Sequence, residues 1–280
     1  MITIRDLTKR FGRVCALSEV SFDVEAGEAV ALWGGNGAGK TTLLRCLLGA
    51  LRHGGSVEVD GLDARRQGKA VRARIGYVPQ ELAFHDDMRV GAALAFFARL
   101  RVESLGRAAE ILARAGLAGH ERKRVRDLSG GMKQRLALAV ATLGDPPVVV
   151  MDEPTSNLDA AGRAQVVESL RELRRSGKTV LFSSHRPEEV RALADRVLVL
   201  DGGRLVRTAT PDELWPSGDG GPRSTLHIPD SDRERALEVL AAAGIEVLDG
   251  VRDELAPGAD QLARSGVCEA VRGDAQGAIQ

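Results

Sequence analysis

The stretch GGNGAGKTT, residues 34–42, constrains this chain more than any other. With four glycines in nine residues it builds neither helix nor strand. It sits between the apolar run EAVALW and the helix-like TTLLRCLLG, so it joins a strand end to a helix start. That is the pattern G-x-x-x-x-G-K-[ST] in its proper context. The glycines let successive backbone N–H groups turn inward onto phosphate oxygens at the positive end of the following helix. The expected cradle runs through Gly34, Gly35, Asn36, Gly37, Ala38, Gly39, Lys40, Thr41 and Thr42. Lys40 is expected to reach the β- and γ-phosphates of ATP, and the Thr41 hydroxyl to ligand Mg²⁺.

Two further segments carry chemistry. In VVVMDEPTSNLD a short β-branched run reads as a strand buried on both faces, delivering Asp152 and Glu153 at its end. Asp152 can hold Mg²⁺ through its water shell, and Glu153 can orient and polarise an attacking water. Taken alone, adjacent carboxylates there could equally cap the next helix; the upstream lysine loop favours catalysis. In DLSGGMKQR, Ser129 stands at a helix N-cap with Gly130 and Gly131 behind it. A plain N-cap explains Ser129 but not the paired glycines. A hydroxyl, bare N–H groups and a helix dipole make a second anion grip. It has a γ-phosphate to hold if it closes over ATP bound to a second copy of the chain.

Strands alternating with helices predict an α/β domain with a mainly parallel sheet, and the lysine loop between strand and helix makes a phosphate-loop NTPase core the expected form of it. The strand-like ITIRDL and VSFDV, with EAG as a turn, predict an antiparallel β subdomain at the start. Residues 82–143 lack intervening strands and read as an inserted helical subdomain. The expected divisions are an ATPase domain over 1–215, a Pro/Gly/Ser-rich linker at 216–224, and a small βαβ-like appendage over 225–280 whose tail shows no clear pattern.

Lysine plus arginine and aspartate plus glutamate number 39 each, so no whole-chain basic footprint for nucleic acid exists. Cys15, Cys46 and Cys268 match no metal spacing, and a structural thiol is the expected reading of each. The longest apolar stretches fall short of the ~20 residues a membrane helix needs. Any membrane span is therefore expected in a separate subunit, with this chain cytoplasmic and peripheral to the inner face of the cell membrane.

The order GGNGAGKTT, YVPQ, LSGGMKQR, VVVMDEPTSNLD and SSH resembles the nucleotide-binding domain of ABC transporters over residues 1–215. The resemblance implies that Phe11 stacks on adenine and that Gln80 touches Mg²⁺ and the water. It implies that Asp159 communicates across a head-to-tail dimer and that His185 contacts the γ-phosphate and holds Glu153 in line. Outside the resemblance, Phe11 suits a core position, Gln80 a turn after Pro79, and His185 a helix cap. Two departures stand out: Gly35 occupies a frequent proline position, and Met132 replaces a glutamine. Neither touches Lys40, Ser129, Asp152 or Glu153.

The resemblance also implies a separate integral membrane permease and an ABC-2 type exporter, serving drugs, lipids or polysaccharides. Within that group IGYVPQELAFHDDM looks most like the ATPase of the copper-related system that matures nitrous oxide reductase. Soluble ABC ATPases acting on DNA or ribosomes are the alternative; they generally carry coiled coils, zinc modules or tandem ATPase domains. A regulatory module without turnover is a further one, opposed by the intact Glu153 and His185.

Overall fold

A computed structural model describes residues 1–82, 84–101 and 108–215. The chain divides into Met1–Pro216 and Ser217–Gln280, and the expected linker, the appendage and Cys268 lie outside the described residues.

The first unit opens with β1 (Ile2–Phe11) and β2 (Val14–Val24), then β3 (Ala29–Trp33) and α1 (Lys40–Leu47). β4 (Gly54–Val59), β5 (Leu62–Asp63), α2 (Gly68–Arg74) and β6 (Ile75–Val78) follow. The helical insertion holds α3 (Val90–Leu100), α4 (Ala108–Arg114) and α5 (Gly130–Ala141). The chain then alternates through β7 (Val148–Met151), α6 (Ala160–Arg175), β8 (Thr179–Ser184), α7 (Pro187–Leu193) and β9 (Arg196–Asp201). β10 (Arg204–Ala209) and α8 (Pro211–Leu214) close the unit.

Two sheets form. β2-β1-β4-β5 is antiparallel, as the opening strands predict, while the second runs β10-β9-β3-β8-β7-β6. Its first five strands from the β6 side are mutually parallel and β10 pairs antiparallel at the edge. Of the parallel strands, β7 and β8 lie inside the sheet with every residue buried, which matches a strand covered by helices on one side and a second layer on the other.

One core lies between the sheets around α1, with Ile2, Leu7, Leu43, Leu44 and Leu198 wholly buried. A second lies on the opposite face, where Val166, Leu170 and Val190 pack on Phe182. A third belongs to the helical insertion and includes Val90, Leu94, Leu112 and Leu136. α5 serves both of the last two, Ala137 and Leu138 facing the sheet and Leu136 and Ala139 facing α3 and α4. Its sequence, RLALAVA, is therefore apolar nearly all round.

Sequence patterning gives no signal for β10, whose two arginines and mostly exposed positions suit an edge strand. α8 is likewise short, held by a capping box between Thr210 and Glu213 and by Trp215 packing edge-on against Trp33 at 4.8 Å. Among the described residues no helix is long and apolar enough to cross a membrane.

Candidate active site

Parallel pairing brings the ends of four strands to one edge: Trp33 lies beside Ser184, Val78 beside Met151, and Met151 beside Phe182. Each chain then turns out of the sheet into one of the motifs. A crevice at the carboxyl ends of parallel strands is where open α/β sheets bind ligands.

From β3 the phosphate loop turns into α1 through Gly39, whose φ of +101° is one that side-chain-bearing residues avoid. A Cβ there would also lie 2.8 Å from the carbonyl oxygen of Ala16. The N-terminus of α1 has no side-chain cap and no acidic residue in its first turn, so neither a cap nor a like charge there would oppose a phosphate. Gly35, Asn36 and Gly37 form the exposed crown of the loop. Lys40 is only 6% exposed. Its Nζ donates to the carbonyl oxygens of Gly34 at 2.6 Å and Gly35 at 3.2 Å, and stands 3.7 Å from Glu153 Oε1.

From β7 come the two carboxylates, with unlike surroundings. Asp152 is buried and accepts a 2.7 Å hydrogen bond from Ser183 Oγ. The same hydroxyl oxygen accepts from the Glu153 N–H at 2.8 Å. Glu153 takes a φ of +45°, a strained value for a residue with a side chain. The bend turns its carboxylate toward the neighbouring loops: Oε2 lies 3.4 Å from Gln80 Nε2 and 3.4 Å from His185 Nδ1. Beside them, burial and then the charge of Asp152 push the Tyr77 phenol above its ordinary pKa.

Glu153 is thus the meeting point of Lys40, Gln80 and His185, which come from three other segments of the chain. His185 is half exposed, and no side-chain cap is found at α7, so the helix-cap reading of it fails.

Ser129 and Asp159 meet elsewhere. Ser129 caps α5 by accepting from Met132 N–H, and Asp159 caps α6 by accepting from Gly162 N–H at 2.8 Å. The two helix starts approach so closely that a Cβ on Gly131 would lie 3.1 Å from Gly162 Cα. With Gly130 they border a polar cavity of about 380 Å³. Met132 turns away from it to pack against the core of the helical insertion. A larger cavity of about 500 Å³ between α4, α5 and α6 includes none of the predicted site residues.

Phe11, at the end of β1, is 48% exposed with Lys9 Nζ 4.8 Å from its ring centre, which excludes the core reading. Cys46 is buried, its thiol pushed up to about 11 by burial, as a structural thiol should be. Cys15 is exposed, because it stands on an outward position of β2, and is not a core thiol. Sequence alone singles out neither Ser183, present only as part of SSH, nor Glu189, which no motif marks.

The ABC transporter family profile matches residues 17–156. Among curated proteins, the daunorubicin resistance ATP-binding protein DrrA3 of Streptomyces coeruleorubidus is 39% identical over 278 residues, spanning 97% of this chain and 88% of that one. The Nod factor export ATP-binding protein I of Burkholderia lata is 39% identical over 236 residues, spanning 82% and 77% respectively. A solved dimeric ATP-binding cassette in a post-hydrolysis state, bound to ADP and Pi, superposes with a TM-score of 0.68 at 26% identity, covering 75% of this chain and 99% of that one. The expected tie to a copper-related cargo finds no support in these relatives, whose names concern drug resistance and Nod factor export.

Proposed function

This chain belongs to the ABC transporter family as an ATP-binding, ATP-hydrolysing subunit, and from that premise we propose that it powers an exporter by closing on a second copy of itself around two ATP molecules. The observation that carries the reading is the convergence of Lys40, Gln80 and His185 on the Glu153 carboxylate. Export is supported by relatives named for drug resistance and Nod factor export.

In this reading Lys40 exchanges the Gly34 and Gly35 carbonyls for the β- and γ-phosphates of ATP, while the N–H groups of Gly35–Thr42 wrap the phosphate chain. Thr41, Gln80 and Asp152 offer hard oxygen donors, the set that suits Mg²⁺ beside phosphate oxygens, and the ion would neutralise charge there. Glu153 aligns the attacking water and draws on its proton; His185 and Gln80 hold the carboxylate in place. Phe11, exposed at a strand end, stacks on the adenine. Ser129, Gly130 and Gly131 present a helix N-terminus to the γ-phosphate held by the other copy, with Asp159 alongside. Loss of the γ-phosphate removes what held the halves together, and the dimer reopens. A separate membrane permease, holding this chain to the inner face of the cell membrane, carries the cargo path.

The test is Glu153→Gln, which keeps the side chain's shape and removes its basicity. ATP should still bind, phosphate release should fall by about 100-fold or more, and light scattering should show an ATP-dependent dimer. Parental turnover in that variant would sink the assignment.

A further inference from the structure

Glu189 is 4% exposed, although its place in the first turn of α7 would ordinarily put a carboxylate in water, as it does for its neighbour Glu188. A buried carboxylate is expensive unless satisfied, so its partners define its task. Oε1 accepts from the Thr155 hydroxyl and Oε2 from the Ser184 hydroxyl at 2.8 Å. Arg186 Nε stands 3.7 Å and Arg163 Nε 3.9 Å from Oε1, each at ion-pair distance, and neither nitrogen has a hydrogen-bond partner of its own.

The positions of these partners matter more than their number. Thr155 lies two residues beyond Glu153, in the loop whose next residue, Ser156, donates back to the Glu153 carbonyl oxygen from both N–H and Oγ. Ser184 and Arg186 flank His185, and the Arg186 N–H also donates to Ser184 Oγ at 3.1 Å. Arg163 meanwhile holds the Leu158 carbonyl oxygen at 3.2 Å, directly before Asp159. One buried carboxylate therefore fastens the loop carrying Glu153 to the loop carrying His185, beneath the 3.4 Å contact those two side chains make.

The geometry points to Glu189 as a positioning residue for hydrolysis, setting the Glu153–His185 alignment without touching ATP. This rests on the reading of Glu153 and His185 as the groups that place the attacking water. Misplacing an aligned group by about 1 Å can lower a rate by about two orders of magnitude.

The full chain carrying Glu189→Gln is assayed for ATP turnover and thermal unfolding. The amide keeps the shape but presents one acceptor in place of two. Expected are a KM for ATP within about twofold of the parent and a kcat lower by about tenfold or more. In a His185→Ala background the same change should lower the residual turnover by less than about twofold, since a residue acting through His185 has nothing left to align. An unchanged kcat, or an equal loss in both backgrounds, overturns the inference. If Glu189→Gln lacks a cooperative unfolding transition, Thr155→Val replaces it, deleting one hydroxyl at near-constant volume. It should lower kcat by about threefold or more at unchanged KM, and an unchanged kcat overturns the inference. Parental turnover in His185→Ala alone overturns the site reading and this inference with it. A loss there beside a normal Glu189→Gln overturns only the inference.

Discussion

Ser183→Ala removes a single oxygen that serves two carboxylate-bearing residues at once. In the parent, Ser183 is wholly buried, donates to Asp152 Oδ1 at 2.7 Å and accepts from the Glu153 N–H at 2.8 Å. The first is a hydrogen bond to a buried charged group, worth about 1.5–3 kcal/mol, and the second a neutral one of about 0.5–1.5 kcal/mol. Asp152 is buried and the Glu153 N–H partly so, so alanine removes the hydrogen bond of each, and the expected loss is about 2–4 kcal/mol. For a domain of this size each kcal/mol moves the melting temperature by about 2–4 °C, which predicts a drop of about 5–15 °C. Thermal unfolding followed by circular dichroism on the full chain reads it directly. Ser169→Ala is the control, because that hydroxyl donates on an exposed helix face to Gln165 O and its loss should move stability by no more than about 0.5 kcal/mol. Turnover should fall as well, since the strained Glu153 backbone at φ +45° loses a tether. A Ser183→Ala melting temperature within about 1 °C of the parent would refute the bookkeeping and the claim that this hydroxyl holds the acidic pair.

Two further outcomes are expected. Burial raises the Glu28 carboxyl, but hydrogen bonds from Arg196 and the Glu25 N–H, with the Arg196 charge, hold it below its ordinary 4.5. A carboxyl lowered on folding gives stability that is complete above 4.5 and lost as pH falls through the lowered native value, so Glu28→Gln should flatten the acid limb of stability there. Urea midpoints measured from pH 7 downward check it, and parent and variant curves that stay parallel would exclude the coupling. Native-state alkylation near pH 8 should modify the exposed Cys15 and spare the buried Cys46, whose thiol sits at about 11. Equal labelling of the two, mapped by mass spectrometry, would contradict their placement.

The local chemistry was legible in the residues themselves. A strand, a glycine-rich turn and Lys40 at a helix start are adjacent along the chain, and so are Asp152 and Glu153 at the end of a β-branched run. The same holds for Ser129 before its paired glycines, because capping and helix-start geometry involve neighbours only three residues apart. The inserted helical block and the parallel core followed from periodicity and from runs apolar on both faces. What sequence left open is what depends on strand register. Ser183 meets Asp152 across 31 positions, Glu153 meets Gln80 across 73, and Thr155 meets Glu189 across 34. No local pattern separates Glu189 from the exposed Glu188 beside it. Only when β7 and β8 pair in parallel do the two loops beyond them come close enough to bury one of those carboxylates and leave the other in water.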